Sequence, residues 1–365
     1  MKVIVIGAGA AGLSTAIAAK RQLKADVRIL EKASEADDPG LGVALLAFGL
    51  DHLRVLGPEA FPALTEDCPR IARFTRVFAG DYPPGVLIRQ SRVQDMEYWG
   101  VKRSAILSFL KNAARRAGVE VEYNANVTEA EIARLRNGSD LLVGADGAGS
   151  VVRSAFARDF GPKGQDAESR YAWLELEGAM DHFLFGYMFV SGLGLVRITA
   201  YPHTRRESSV IITHSAGLTG RFDEPGMTDP DGAISAAGLA FLNDVFGPAL
   251  EGRKLSGGSR WRRFRSTHCQ RAAFSNVALV GDAFATMHYE TGWGTSKALQ
   301  ESRLLIKCLA GARTVEGGLV AYNSENIAAS RSLLKATVST MRDLDGQAAT
   351  FAAKGAAKFL ERTSA

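Results

Sequence analysis

The run Gly7-Ala8-Gly9-Ala10-Ala11-Gly12 has the glycine spacing of a phosphate cradle. Gly7 permits a tight turn, Gly9 lets the backbone approach a pyrophosphate, and Gly12 allows close helix–strand packing. Free N–H groups and the dipole at the following helix N-terminus favour negative charge. Glu31 stands about 20 residues on, where a carboxylate accepts hydrogen bonds from a ribose, and Lys32 follows it. A carboxylate there repels a ribose phosphate, so the site suits FAD or NAD. Two further stretches bring polar groups to strand ends. Asp140 to Arg153 contains the turn Asp146-Gly147. Val277 to Ala283 ends on Gly281-Asp282, and Gly292-Trp293-Gly294-Thr295 then opens another helix. A strand carrying Asp282 delivers it to the carboxyl edge of a sheet, where ligands of doubly wound sheets bind. His288 and Tyr289 lie between these turns. An imidazole titrates near neutral pH, which makes His288 the acid/base candidate, with Tyr289 beside it.

These residues need a parallel sheet to carry them. Val3–Ile6 is wholly apolar, as in a strand covered on both faces; a helix from Leu13 to Leu23 and a strand from Asp26 to Leu30 complete a βαβ unit. Residues 33–50 read as irregular, 51–57 as helix and 71–90 as strands of period two. Arg103 to Gly118 reads as a helix with Ile106, Leu107, Leu110, Ala113 and Ala114 on one stripe. Strands are expected at Val119–Val121 and Asp140–Gly144. The middle turns β-rich: Tyr171–Glu177, Phe183–Val190, Leu195–Tyr201 and Ser208–His214 read as antiparallel strands. Helices at 231–246 and 295–310 flank a buried strand at Val277–Val280. The fold class is therefore α/β. A discontinuous Rossmann-type domain (1–75, 100–160 and 268–345) is interrupted by a mainly antiparallel β domain (76–99 and 161–267). Residues 346–365 form a tail, as a surface helix or a frayed end.

At 365 residues, 46% hydrophobic and 23% charged, the chain can bury a large core. It lacks the run of roughly 18 apolar residues that a membrane helix needs. Val3–Ile6 is shorter than the apolar stretch of a signal peptide, so a soluble cytoplasmic protein is expected. Three scattered cysteines and six histidines without ligand spacing suggest neither disulfides nor a metal site. A net charge of +5, spread along the chain, points to an anionic cofactor or substrate, or to solubility, rather than nucleic acid.

The order of the three motifs resembles the class A flavoprotein monooxygenases, the para-hydroxybenzoate hydroxylase-like family, from Met1 to about residue 310. The resemblance implies a Rossmann-type FAD-binding domain with an inserted, mainly antiparallel β substrate domain. It implies that Gly7, Gly9, Ala10, Ala11, Gly12, Glu31 and Lys32 hold the ADP half of FAD. Asp146 and Gly147 would contribute to FAD and NAD(P)H binding, and Gly281 and Asp282 to the ribityl chain. Arg103, with Ile106 and Leu107, resembles the family's R-x-x-L and would contact FAD. Ala285 and Tyr289 depart from the usual G-D-A-A-H…P pattern. His288-Tyr-Glu-Thr-Gly-Trp-Gly294 instead resembles the H-F-S-I-G-x-G of a subgroup similar to the violacein-pathway hydroxylase and 2-aminobenzoyl-CoA monooxygenase/reductase. Gly40-Leu41-Gly42-Val43, Arg170-Tyr171-Ala172-Trp173 and Trp261-Arg262-Arg263-Phe264 fit that subgroup too. This places Gly42, Val43, Gly292, Gly294 and Thr295 beside the flavin ring. The W-x-W-x-I-P run of flavin-dependent halogenases is absent.

The implied reaction hydroxylates an electron-rich phenolic, amino-aromatic or indolic ring through a C4a-hydroperoxyflavin, using NAD(P)H and O2. The cofactor carries that chemistry, and the protein supplies position and dryness. Alternatives on the same fold are a dehydrogenase or reductase without oxygen insertion, a monooxygenase fed by a flavin reductase, or a non-catalytic flavin-binding protein. The cluster Arg260, Arg262, Arg263 and Arg265 either attracts an acidic or CoA-linked substrate or forms a solvated strand face. On a regular strand, Arg263 and Arg265 share a face with Trp261, and Arg262 shares the other with Phe264. Trp173, Phe185, Tyr187 and Phe189 line an aromatic pocket or form the sheet core.

Overall fold

The computed structural model describes residues 1–36, 41–80, 86–190, 194–247, 249–257 and 259–363. Pro39 and Gly40 of the expected glycine loop lie outside them. Val3 and Val5 are fully buried because their strand, Lys2–Ile6, lies inside a six-stranded sheet. The order across it is Ala273–Phe274, Val277–Leu279, Leu141–Gly144, Lys2–Ile6, Asp26–Leu30, Glu120–Glu122. All neighbours are parallel except the first pair. The helix Ala10–Gln22 follows the glycine turn and packs on Gly294–Ala310; Ser302 Oγ donates to the Ala11 carbonyl at 2.9 Å. The alanine-rich helix Ala10–Gln22 meets small residues of the other, Ala298 and Ser302, which lets the two backbones approach. Arg103–Arg116 packs beside Ala10–Gln22 and buries the expected residues Ile106, Leu110, Ala113 and Ala114.

The second sheet has nine strands. Its path runs Leu255–Ser256, Pro162–Leu176, Ser208–His214, Gly194–Pro202, Phe183–Val190, Arg70–Gly80, Val86–Lys102, Gly42–Leu46, and Arg262–Cys269 also pairs with Pro162–Leu176. Its pairs are antiparallel except Arg70–Gly80 with Phe183–Val190. Two expectations need correction. Residues 42–46 form a strand where irregular chain was expected, and the helix expected over 51–57 begins earlier, spanning Ala47–Leu56. The strand's partner, Tyr98–Lys102, is distant in sequence, so no local turn signals it. The helix expected over 231–246 begins at Ala236, because Ser235 Oγ caps it by accepting from Gly238 N at 3.0 Å. The register between Arg262–Cys269 and Pro162–Leu176 shifts between Arg263, which faces Arg170, and Arg265, which faces Asp166, so the extra residues lie on Pro162–Leu176; Arg263 and Arg265 are both exposed.

One helix, Val315–Thr363, continues through residue 345, where a tail was expected to begin. Tyr322 Oη donates to the Leu279 carbonyl at 2.8 Å, and Asn323 Oδ1 accepts from Ala272 N at 2.8 Å, fixing this helix under the first sheet. Further along, Thr337 Oγ1 accepts from His288 N at 3.2 Å. The three cysteines are free and buried. Among the described residues, no helix is long and apolar enough to cross a membrane.

Candidate active site

A cavity of about 290 Å³ runs from the glycine turn to the inner face of the second sheet. At one end it meets Gly9, Ala10 and Ala11, where Gly9 caps the helix without a side chain and no acidic residue occupies the first turn. The amides there are left free for an anion. Arg103, Gly147, Gly281 and Asp282 line its middle, with Val43 and Ala44 from the strand Gly42–Leu46. Gly292, Gly294 and Thr295 bring the uncapped start of Gly294–Ala310 to the same space. The far end is walled by Trp173, Phe183, Tyr201, Ile211, Met287 and Tyr289, with Thr199 and Glu290 as its polar groups. Twelve of the expected site residues thus converge: Gly9, Ala10, Ala11, Val43, Arg103, Gly147, Gly281, Asp282, Tyr289, Gly292, Gly294 and Thr295.

Asp282 is open to the cavity yet surrounded by protein. Desolvation raises its pKa, against the charges of Lys297, Arg103 and Arg153. The turn that presents it is clamped from below. Lys297 and Glu301, buried on one helix face, pair at 2.8 Å; Glu301 Oε2 accepts from Gly281 N at 2.6 Å, and Lys297 Nζ donates to the Ala285 carbonyl at 3.1 Å. Arg153 joins the two later motifs, donating to the carbonyls of Ala283 at 3.0 Å and of Ala148.

Other expected residues stand behind the cavity. Gly7 and Gly12 shape the turn. Glu31 accepts from Ala8 N at 2.5 Å and Ala33 N at 2.8 Å, and Lys32 is exposed beside it. Gly42 N donates to Ser209 Oγ at 3.0 Å, and its carbonyl accepts from Tyr201 Oη at 3.1 Å. The Asp146 carboxylate turns back onto the amides of Val151 (2.7 Å) and Val152 (3.3 Å), so it holds the turn while Gly147 meets the cavity.

His288, expected as the acid/base, is not among the residues that line the cavity. It is 1% exposed and lies behind the wall, with its ring 4.8 Å from that of Phe264 and 4.1 Å from that of Tyr289. Its Nδ1 accepts from Glu290 N at 3.4 Å. Burial, then the charge of Arg197, hold its pKa at about 3. Folded His288 is neutral where the unfolded chain's histidine gains a proton. Its contribution to stability is complete above about pH 6.5 and is lost as pH falls toward 3. The unfolding free energy should therefore fall between pH 6 and 4 more steeply in the parent than in His288→Gln, by up to about 1.4 kcal/mol per pH unit. Parallel profiles in denaturant titrations would refute a buried neutral imidazole.

The polar machinery the sequence reading missed lies on the strands Gly194–Pro202 and Ser208–His214 and on the short turn Tyr289–Thr291. Arg197 and Glu290 form a buried bidentate pair, with Arg197 Nε donating to Glu290 Oε1 at 2.7 Å. Burial opposes the Arg197 charge, but Glu290, Tyr187 and Tyr289 outweigh it and raise its pKa. Thr213 Oγ1 donates to Glu290 Oε1 at 3.4 Å and lies 2.9 Å from Tyr289 Oη. Burial, then the negative charge of Glu290, push the Tyr289 phenol well above its usual range. A signal was present: Arg197, Thr199 and Tyr201 alternate with Val196, Ile198 and Ala200, so one face of an otherwise apolar strand is polar.

The family model described as FAD binding domain matches residues 1–337. The chain belongs to this FAD-binding family. FAD is the cofactor of this family, and its flavin chemistry is the frame for the cavity. The chain is 30% identical, over 88% of its length, to the salicyloyl-CoA 5-hydroxylase of a Streptomyces species, and it spans 61% of that protein's length. It is 26% identical to the protodeoxyviolaceinate monooxygenase of Chromobacterium violaceum, covering 85% of this chain and 79% of that one. This bears out the expected violacein-pathway resemblance. The fold is shared with the crystal structure of 2-methyl-3-hydroxypyridine-5-carboxylic acid oxygenase: TM-score 0.70, 23% identity, covering 94% of this chain and 92% of the other.

Proposed function

We propose that the protein is an FAD-dependent monooxygenase that hydroxylates an electron-rich aromatic ring, using NAD(P)H and O2. The first sheet and its helices would serve as the cofactor body and the nine-stranded sheet as the substrate body. The observation that carries the reading is the single cavity joining an anion-ready helix start to an aromatic chamber. The residues fit FAD: a Cβ at Gly9, Gly147 or Gly294 would meet nothing within 4 Å, so each glycine opens room at the cavity. The amides of Gly9 to Ala11 would hold the pyrophosphate, with Arg103 and Asp282 along the chain that follows. The amides opening Gly294–Ala310 would favour negative charge on a reduced ring. When bound, FAD supplies hydride acceptance from NAD(P)H and the activation of O2.

The chain's own residues dry and orient the substrate. Phe183, Tyr201, Trp173 and Ile211 exclude water from the chamber. Thr213 donates to Glu290, so it accepts the Tyr289 proton, and the Tyr289 oxygen is left free to accept from a substrate hydroxyl or amine. Such a bond raises electron density on the ring, and a departing proton has a path through Tyr289 and Thr213 to Glu290 Oε1. Tyr289, not His288, is then the group in contact with substrate; His288 positions the backbone of Glu290. Tyr289→Phe should keep its FAD and lose about 100-fold in kcat. An unchanged kcat with the best substrate would remove Tyr289 from the reaction.

The decisive experiment mixes the FAD-loaded protein anaerobically with NADPH or NADH, with and without a panel of hydroxy- and amino-aromatic compounds. Admitting labelled O2 follows. Flavin bleaching that one aromatic accelerates, and label in its hydroxyl, are the expected results. Reduction only on adding a flavin reductase would make the enzyme partner-fed. Reduction without label in any product would replace hydroxylation by dehydrogenase or reductase chemistry.

A further inference from the structure

Resting on the hydroxylase reading of the chamber, we infer that the Arg197–Glu290 pair is a charge filter: it admits an aromatic ring with uncharged substituents and turns away one bearing a free carboxylate. Among the described residues, the charged side chains lining the cavity are Arg103, Asp282 and Glu290. With Arg103 and Asp282 assigned to the cofactor, Glu290 is the charge at the aromatic end. Its counter-charge, Arg197, is buried and does not itself line the cavity. A ligand therefore meets the anion of the pair before the cation.

The carboxylate is fixed in that place. Arg197 lies on Gly194–Pro202, directly across from Thr213 on one side and Tyr187 on the other. The turn Tyr289–Thr291 lays Glu290 over this strand pair. Two guanidinium nitrogens and Thr213 Oγ1 hold its side chain, and its amide donates to His288 Nδ1 at 3.4 Å. An incoming carboxylate would have to displace Glu290 from a planar fork that already matches it. If Glu290 stays, it repels the newcomer, and burial leaves little water to screen that repulsion. Of the groups facing the pair, His288 is held neutral and Tyr289 keeps its proton, so neither supplies a second cation.

An uncharged ring avoids these costs. Its hydroxyl or amine brings a donor to acceptors already present, the Tyr289 oxygen and the Glu290 carboxylate. A cationic substituent gains little, since Arg197 already engages both Glu290 oxygens. Glu290 also stands where the pattern H-F-S-I-G-x-G carries serine, so the motif alone does not supply the carboxylate. Glu290 is thus a specificity residue: it fills the place on Arg197 that a substrate carboxylate would otherwise take.

The test measures binding by the FAD-loaded protein at neutral pH, without NAD(P)H, by calorimetry. The probes are matched pairs: hydroxybenzamides against hydroxybenzoates, and aminobenzamides against aminobenzoates. At least one amide should bind about 30-fold tighter than its acid. Glu290→Gln keeps the size of the side chain and an acceptor for Arg197 but removes the negative charge. That acid should then gain about tenfold or more, while its amide changes by less than about threefold. Arg197→Met/Glu290→Leu removes both charges and offers no cation, so there the acid should remain the weaker ligand. No preference for the amide in any pair of the parent, or a Glu290→Gln variant that still rejects the acid, would overturn the filter. Equal gains by the acid in both variants would also overturn it, because the discrimination would then be one of space. Discrimination in binding with no panel member hydroxylated would uphold the filter and count against the reaction instead.

Discussion

Gly12→Val protein should purify without flavin. A Cβ at Gly12 would sit 1.9 Å from the Gly7 carbonyl oxygen and 3.3 Å from the Ala145 Cβ. The near atom is backbone, in a turn where Gly7 already holds φ +101°, so it cannot swing aside. The helix must withdraw from the turn and carry the Gly9–Ala11 amides with it. Overpacking of this kind costs about 1–3 kcal/mol where side chains can adjust, and here they cannot. A loss of about 100-fold or more in FAD affinity follows. Gly9→Val separates cradle from fold: a Cβ there meets nothing within 4 Å, so the chain should fold normally while the side chain enters the cavity. Folded Gly9→Val protein that retains FAD at parental affinity would refute the cradle.

The second large effect concerns the buried ion pair. Arg197→Met leaves Glu290 facing a chamber with no counter-cation, and uncompensated buried charge costs about 3–5 kcal/mol. Denaturant titration should register that loss. Arg197→Met/Glu290→Leu should recover most of it, because removing both partners also removes the desolvation cost. The double variant should still bind FAD and lose turnover, since Thr213 and Tyr289 lose their acceptor. A single variant within about 1 kcal/mol of the parent would mean that Glu290 escapes to solvent or takes up a proton at little cost.

How far the sequence disclosed this site depends on what each residue's signal is made of. The glycine turns and Asp282 were legible because backbone geometry at a strand end leaves a local imprint: close approach demands glycine, whatever lies elsewhere. The strand Gly42–Leu46 was not, since Val43 to Leu46 is equally an apolar run in any state until Tyr98–Lys102 pairs with it. The place of His288 is hard to read for a related reason. Motif position fixes the backbone loop, but whether a side chain points into the cavity or toward Phe264 is settled by distant packing. Arg197 and Glu290 lie 93 positions apart, and a charge pair at that separation has no one-dimensional signature. The alternation around Arg197, Thr199 and Tyr201 was the one trace, outweighed by the apolar neighbours that mark the strand.

The sealed cysteines bear on oxidative durability. Burial lifts the thiols of Cys68 and Cys269 to about 11, and burial with the Glu325 charge raises that of Cys308. Peroxide attacks the thiolate, and at neutral pH these side chains present almost none. Reduced flavin meeting oxygen with no aromatic in place wastes its electrons as hydrogen peroxide, released beside the very chain that made it. A protein of this construction should survive its own uncoupled turnover with its three thiols intact, and lose activity first through the flavin.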